Sequence, residues 1–170
     1  MQRSPGDVPS VIGVIGESRF SDAAHEALAE GVGRRIAAAG CTLICGGLGG
    51  VMEAACRGAR AAGGMTIGIL PGSDRQEANP FVDVAVATGM GQARNAIIAL
   101  TADALIAIGG GYGTLSEIGF ALRHGKPVIG LRTWDATRAG EHVPIVVVQT
   151  PEEAVGEALR LAGTTPVPRV

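Results

Sequence analysis

Short apolar runs alternate with helical patterns along almost the whole chain. The apolar runs cover residues 11–15, 41–45, 65–70, 81–86, 104–108, 127–131 and 144–148, and the helical patterns cover residues 22–39, 51–62, 92–101, 115–124 and 151–161. Most of the apolar runs are continuous, as expected of strands that are covered on both faces. The alternation predicts an α/β fold: a doubly wound, mostly parallel sheet with helices on both faces.

The length and composition favour one folded domain. The chain has 170 residues, of which 46% are hydrophobic and 18% are charged. Disordered chains are poor in apolar residues and rich in charge, so this composition excludes disorder. We expect a single domain over residues 1–170, with its core at about residues 11–161, and a tail of residues 164–170 that is frayed or docked on a partner.

The net charge, the aromatic content and the length of the apolar runs argue against nucleic acids and membranes as binding partners. The net charge is −2 and aromatic residues make up 3% of the chain, so neither a basic field for nucleic acid nor a base-stacking platform is expected. No apolar run reaches the length of a membrane span, and the first ten residues have no apolar stretch typical of a secretory signal. We therefore expect a cytoplasmic protein that binds neither nucleic acid nor membrane.

The residues that usually bind metals lack the spacing for a site. Cys41, Cys45 and Cys56 are too few for a disulfide framework, and no Cys or His pair completes a zinc site with them. The three histidines show no metal-ligand spacing, and we expect His25, like the others, at the surface or at a helix end. No metal is predicted.

Two glycine-rich segments share the same sequence pattern and the same position between a predicted strand and a predicted helix. Residues 46–53 read GGLGGVME and residues 110–117 read GGYGTLSE, and each follows an apolar run and precedes a helical pattern. Glycines at such a turn let the backbone approach a ligand closely, and a helix start favours an anion such as phosphate. The alternative is that these glycines only make tight strand-to-helix connections.

The carboxyl ends of parallel strands, where ligands bind in such sheets, give the candidate binding residues. The candidates for binding a ligand or its phosphate are Gly16, Ser18, Gly46, Gly47, Gly110, Gly111, Gly113 and Thr114. Ser18 follows the first strand closely and has the alternative role of supporting its turn.

Glu117 and Arg94 each have a structural alternative to a functional role. Thr114 and Glu117 have the spacing of a capping box, which would explain Glu117 without any ligand. Arg94 stands at the start of a predicted helix, where a cation opposes the helix dipole. It is therefore either an exposed surface residue or a binding group for phosphate or carboxylate.

Residues 110–117 resemble the P-G-G-x-G-T-x-x-E motif of the LONELY GUY (LOG) family, once mislabelled as lysine decarboxylases. The similarity extends over about residues 11–161 and includes the run GGMTIGILP at residues 63–71. The resemblance implies a Rossmann-like fold, a homodimer or larger homo-oligomer, and nucleoside 5′-monophosphate phosphoribohydrolase activity. It places the family's catalytic Glu on Glu117 and its catalytic Arg on Arg94.

The chain departs from the family pattern around Arg94. Gly91, Gln92 and Asn95 replace the family's Met, His and Lys, and this form is similar to a shorter branch that includes molybdenum-cofactor carrier proteins. Two readings follow, both without a required cofactor. The favoured one is a binder of a phosphorylated small molecule, either the molybdenum cofactor or a nucleotide; the other is an N-glycosyl hydrolase. A purely structural protein would not need to retain Arg94 and Glu117.

Overall fold

The computed structural model describes residues 10–163, so the expectation for the tail of residues 164–170 lies outside the described residues. Strands β1 to β9 are Val11–Gly16, Thr42–Cys45, Thr66–Leu70, Val84–Ala87, Ala104–Ile108, Val128–Leu131, Thr137–Arg138, Glu141–His142 and Ile145–Val147. Helices α1 to α5 are Ala24–Ala38, Val51–Ala61, Asn95–Thr101, Tyr112–Arg123 and Pro151–Ala162. In this described part of the chain, no helix is long and apolar enough to cross a membrane.

Seven of the strands form one parallel sheet in the order β4-β3-β2-β1-β5-β6-β9. The order reverses where β1 meets β5, with Gly16 opposite Ile108. The carboxyl ends of all seven strands therefore lie at one edge, and the crevice at such a reversal is where open α/β sheets bind ligands. The predicted α/β, Rossmann-like fold is confirmed.

Both faces of the sheet are covered, as the continuous apolar strands predict. Ile12 and Val14 of β1 pack in one hydrophobic cluster with residues of α1, α2 and α5. Ile15, the next residue of β1, packs in a second cluster with Ile98 of α3 and Ile118 of α4. Neighbouring residues of a strand point to opposite faces, so the strands need apolar residues throughout.

Three local features differ from the sequence-based expectation. Helix α4 begins at Tyr112, three residues before the predicted start, and the predicted helix over residues 92–101 is divided into a 3-10 turn, Gly91–Arg94, followed by α3. The predicted loop over residues 132–142 contains the short hairpin of β7 and β8. Helix α5 begins after Thr150, which forms a complete capping box with Glu153.

Helices α1 and α2 approach each other at two glycines. A Cβ atom on Gly33 would lie 1.9 Å from the carbonyl oxygen of Ala55, and one on Gly58 would lie 2.0 Å from that of Glu30. Backbone atoms cannot move aside as the end of a flexible side chain can. The contact between these helices therefore requires glycine at both positions.

We expect Gly33→Ala to lower the free energy of unfolding by about 1–3 kcal/mol, the usual cost of overpacking. The control is Gly156→Ala in α5, where a Cβ would meet no atom within 4 Å. That change should raise stability by about 0.4–1 kcal/mol, because alanine restricts the unfolded chain. Urea denaturation of the three proteins measures both effects, and equal midpoints would contradict the proposed close approach.

Candidate ligand-binding site

A cavity of about 380 Å³, here called cavity A, opens where β1, β2 and β5 end. It is lined by Val14, Ile15, Gly16, Glu17, Ser18, Arg19, Gly46, Leu48, Met52, Gln92, Arg94, Asn95, Gly111, Gly113, Thr114 and Glu117. Both glycine turns contribute, Gly46 from the first and Gly111 and Gly113 from the second. The structure thus brings the two turns to one pocket at one edge of the sheet, as their matched settings predict.

Eight of the ten candidate residues line cavity A, and Gly47 and Gly110 are the two that do not. Gly47 has a φ of +74° and packs against Gly68 and Leu70. The left-handed backbone conformation and the close packing both require glycine at this position. Gly110 has a φ of +109° and lines a neighbouring cavity instead.

Arg94 is buried at the inner wall of cavity A. Arg94 is the last residue of the 3-10 turn and is only 5% exposed. The alternative of an exposed surface arginine is therefore wrong. One guanidinium nitrogen, Nη1, donates to Asn95 Oδ1 at 2.7 Å. Nε has no hydrogen-bond partner among the described residues. A buried donor without a partner is costly, so this atom points to a missing acceptor.

Gly46 explains how the guanidinium fits. A Cβ on Gly46 would lie 2.6 Å from Nη1 and 2.7 Å from Nη2 of Arg94. The charged group therefore lies directly against the backbone of the first glycine turn. Any side chain at residue 46 would displace it.

Glu117 lies beside Arg94 in the wall of cavity A and does not cap α4. Because α4 begins at Tyr112 with Gly111 as N-cap, Thr114 lies inside the helix and makes no side-chain cap bond. The predicted capping box of Thr114 and Glu117 is therefore wrong. Glu117 is 5% exposed, and its Oε1 lies 3.7 Å from Arg94 Nη1.

Burial controls the charge of this pair. It raises the pKa of Glu117 to about 8, and the nearby positive charge of Arg94 only partly opposes the shift. Burial also lowers the pKa of Arg94, but a guanidinium stays protonated in proteins at neutral pH. At pH 7 the free site therefore holds a cation beside a mostly neutral carboxylic acid. That combination attracts an anion.

Asn95 holds Arg94 in place and was not among the predicted site residues. While its Oδ1 accepts from Arg94, its Nδ2 donates to Ser116 Oγ at 3.1 Å and to Gln92 Oε1 at 3.4 Å. Ser116 Oγ in turn donates to the carbonyl of Gly113 at 2.6 Å. The amide thus links Arg94 to the start of α4. In the sequence, the only sign of this role is that Asn95, next to Arg94, departs from the family pattern.

A buried Glu17–His25 pair was also missed. His25 is the second residue of α1, so its expected helix-end position is confirmed, but it is only 6% exposed and its Nδ1 lies 2.7 Å from Glu17 Oε1, so the alternative of a surface histidine is wrong. Ser21 donates to Glu17 through its backbone N–H and its hydroxyl. Burial raises the pKa of Glu17, but the hydrogen bonds from His25 and Ser21 outweigh it and leave the pKa below its usual value.

The three cysteines are free and buried, with Cys45 Sγ 3.5 Å from Cys56 Sγ. Among residues 10–163, no group of three or more His, Cys, Asp and Glu side chains could hold a metal ion. The candidate site therefore depends on Arg94, Glu117, Asn95 and the first turn of α4.

Solved structures with a similar fold and length have 34–36% sequence identity to the chain. The molybdenum cofactor binding protein of the phototrophic bacterium Rippkaea orientalis is 36% identical, with a TM-score of 0.84 over 91% of this chain and 98% of that protein. The molybdenum cofactor carrier protein of Chlamydomonas reinhardtii is 34% identical, with a TM-score of 0.80 over 92% of this chain and 99% of that protein.

A curated enzyme and a family model also match the sequence. The cytokinin riboside 5′-monophosphate phosphoribohydrolase of Mycobacterium tuberculosis is 37% identical over 117 residues, which are 63% of this chain and 62% of the enzyme. The sequence model of the SLOG cluster4 family matches residues 9–155.

Proposed function

The chain belongs to the SLOG cluster4 family, and we propose that it binds a phosphorylated small molecule in cavity A, either a pterin of the molybdenum-cofactor type or a nucleotide. The observation that carries this proposal is Arg94, a buried cation whose Nε has no partner among residues 10–163. The planar fork of a guanidinium matches the geometry of phosphate oxygens, which can accept two hydrogen bonds from it.

The first turn of α4 supplies the second half of the phosphate site. Gly111 and Gly113 line cavity A without side chains, and Thr114 adds a hydroxyl. The N–H groups at a helix start are unpaired within the helix, and the helix dipole favours negative charge there. The mostly neutral state of Glu117 supports the same ligand, because a carboxylate would repel phosphate.

The pterin is the favoured ligand, as cargo and not as a resident cofactor. Two relatives that match almost their whole length to this chain are described as a molybdenum cofactor binding protein and a molybdenum cofactor carrier protein. We further propose that the protein works in the cytoplasm as a homodimer or larger homo-oligomer, and that it needs no cofactor of its own.

Hydrolysis of a nucleoside 5′-monophosphate at its N-glycosidic bond is the second candidate function. Arg94 and Glu117, 3.7 Å apart in one cavity, favour it, as does the similarity to the mycobacterial phosphoribohydrolase. In that reaction a Glu117 carboxylate would stabilise the oxocarbenium-like transition state or deprotonate water. We rank it second because Gln92 and Asn95 stand where the family enzymes carry His and Lys.

Gly111→Ala tests the phosphate site with minimal disturbance of the protein. Gly111 has an extended backbone with φ of −96°, and a Cβ there would meet no atom within 4 Å. The added methyl group should therefore occupy the position of the phosphate without a clash, and the melting temperature should fall only slightly, because alanine is a poorer N-cap residue than glycine. Native mass spectrometry of freshly purified wild type should find a phosphorylated pterin or nucleotide, and the variant should have lost it.

The control is Gly119→Ala, in the same helix and also with no atom within 4 Å of its Cβ. It should retain the ligand. A Gly111→Ala protein that carries the ligand in full amount would place the phosphate elsewhere. A wild-type protein that carries no phosphorylated molecule, and binds none of the common 5′-mononucleotides in calorimetry, would reject the proposed function.

A further inference from the structure

A second cavity, here called cavity B, lies beside cavity A at the ends of β1, β5 and β6. It has a volume of about 320 Å³ and is lined by Glu17, Ser21, His25, Gly109, Gly110, Arg132, Thr133 and Trp134. Glu17 lines both cavities, and the glycine turn of residues 109–111 contributes to both, with Gly111 on the side of cavity A. The two cavities therefore flank one turn.

His25 lines cavity B with one ring nitrogen paired and the other without a protein partner. Its Nδ1 is paired with Glu17, and its Nε2 has no hydrogen-bond partner among the described residues. The ring lies directly against the backbone of the turn, because a Cβ on Gly109 would lie only 2.7 Å from its Cε1 and Nδ1. A carboxylate that fixes one ring nitrogen leaves the other oriented for a ligand.

In the turn between the cavities, two carbonyl groups are occupied and two N–H groups are free. Thr133 Oγ1 donates to the carbonyl of Gly109 at 2.6 Å, and Trp134 Nε1 donates to that of Gly111 at 3.2 Å. Within residues 10–163, the N–H groups of Gly110 and Gly111 donate to no protein acceptor. These two N–H groups can therefore donate to a group that lies between the cavities.

We infer that cavity B receives a second arm of the ligand, so that the ligand is a two-armed phosphate compound rather than a simple monoester. This inference rests on the proposed function. The pyrophosphate of a dinucleoside diphosphate, or of a pterin–nucleotide conjugate, would lie along the turn of residues 110–114. One organic arm would occupy cavity A and the other cavity B.

The walls of cavity B indicate that this second arm is a nucleoside. Trp134 gives an apolar wall for a planar base. His25 Nε2 and the guanidinium of Arg132, whose Nη1 donates to Asp22 Oδ2 at 3.2 Å, would supply hydrogen bonds to base or ribose. The cavity volume is in the usual range for small-molecule sites.

Calorimetry with matched one-armed and two-armed probes tests this assignment. The probes are the four common 5′-mononucleotides and the corresponding P1,P2-dinucleoside diphosphates. The wild type should bind its preferred dinucleoside diphosphate at least about tenfold more tightly than the matching mononucleotide, which is the effect of one or two additional hydrogen bonds. His25→Gln should remove most of this advantage and leave the mononucleotide affinity within about twofold.

A second variant, Arg132→Asn, keeps the test valid if His25→Gln does not fold. Arg132 has a φ of +48°, a conformation that asparagine tolerates better than most residues, and its side chain is exposed. Arg132→Asn should also lower the affinity for the two-armed probe and leave the affinity for the one-armed probe unchanged. If two-armed and one-armed probes bind equally, the inference falls and the proposed function stands. If no probe binds, both fall.

Discussion

Arg94→Met should abolish ligand binding in a protein that still folds. The change removes the buried cation whose Nε lacks a partner among the described residues. A phosphate would lose at least two charge-assisted hydrogen bonds, so its affinity should fall by more than about 10²-fold. The change also leaves the buried Asn95 Oδ1 without its donor and Glu117 without its counter-charge, so the free energy of unfolding should fall by about 1–3 kcal/mol.

Calorimetry with the preferred mononucleotide and urea denaturation measure the two effects. Arg94→Lys should give an intermediate affinity, because lysine keeps the charge but lacks the planar fork. The matched control is Arg123→Met at the exposed end of α4, which should bind as the wild type does. If Arg94→Met binds with unchanged affinity, Arg94 has a structural role only and the site in cavity A is wrong.

The sequence was sufficient to predict the sheet because its signals are local. The continuous apolar runs at the centre of the sheet became strands that are buried on both faces, as Ile12 and Ile15 of β1 show, whereas β9 at the edge is partly exposed. Gly46 and Gly111 could be placed together because parallel strands end at one edge. The start of α4 was predicted three residues late because Thr114 matches a cap pattern, and pattern alone does not show that Gly111 provides the cap.

The parts of the site that escaped prediction depend on contacts between distant segments. Asn95 was visible only as a departure from a family pattern, and its link to Ser116 is a contact across 21 residues. The burial of His25, which was expected at the surface or at a helix end, escaped prediction because its partner Glu17 comes from the preceding turn and Gly109, which lies against its ring, comes from the turn after β5. Burial by the assembled fold gives these polar residues their roles.

Glu117→Gln should remove a pH dependence of stability that the wild type shows. The pKa of Glu117 is about 8 in the folded protein against an ordinary value of 4.5. Between these values the folded protein holds a proton that the unfolded chain has released, so wild-type stability should fall as pH rises from 4.5 to 8 and then level off. The total loss is on the order of several kcal/mol.

Glutamine has the shape of the protonated acid and does not titrate, so the variant should lack this slope. Urea denaturation at pH 5 and pH 8.5 compares the two proteins: they should be similar at the lower pH, and the variant should be more stable at the higher. Glu53→Gln is the control, because Glu53 has the matching position in the first glycine turn and does not line cavity A. Parallel pH profiles for wild type and Glu117→Gln would show that burial does not keep Glu117 protonated.

The same variant separates a binder from a hydrolase. A hydrolase needs the carboxylate of Glu117, so its kcat/KM for a 5′-mononucleotide should rise with pH up to about 8, the pKa of the free site. It should fall by about 10²–10⁴-fold in Glu117→Gln, the usual contribution of a general acid or base.

A binder should release no free base in either form, and the glutamine amide should leave its affinity for phosphate nearly unchanged at pH 7. We expect the second result, because a cation beside a neutral acid suits an anion that is held rather than converted. Base release by the wild type that disappears in Glu117→Gln would instead establish the phosphoribohydrolase.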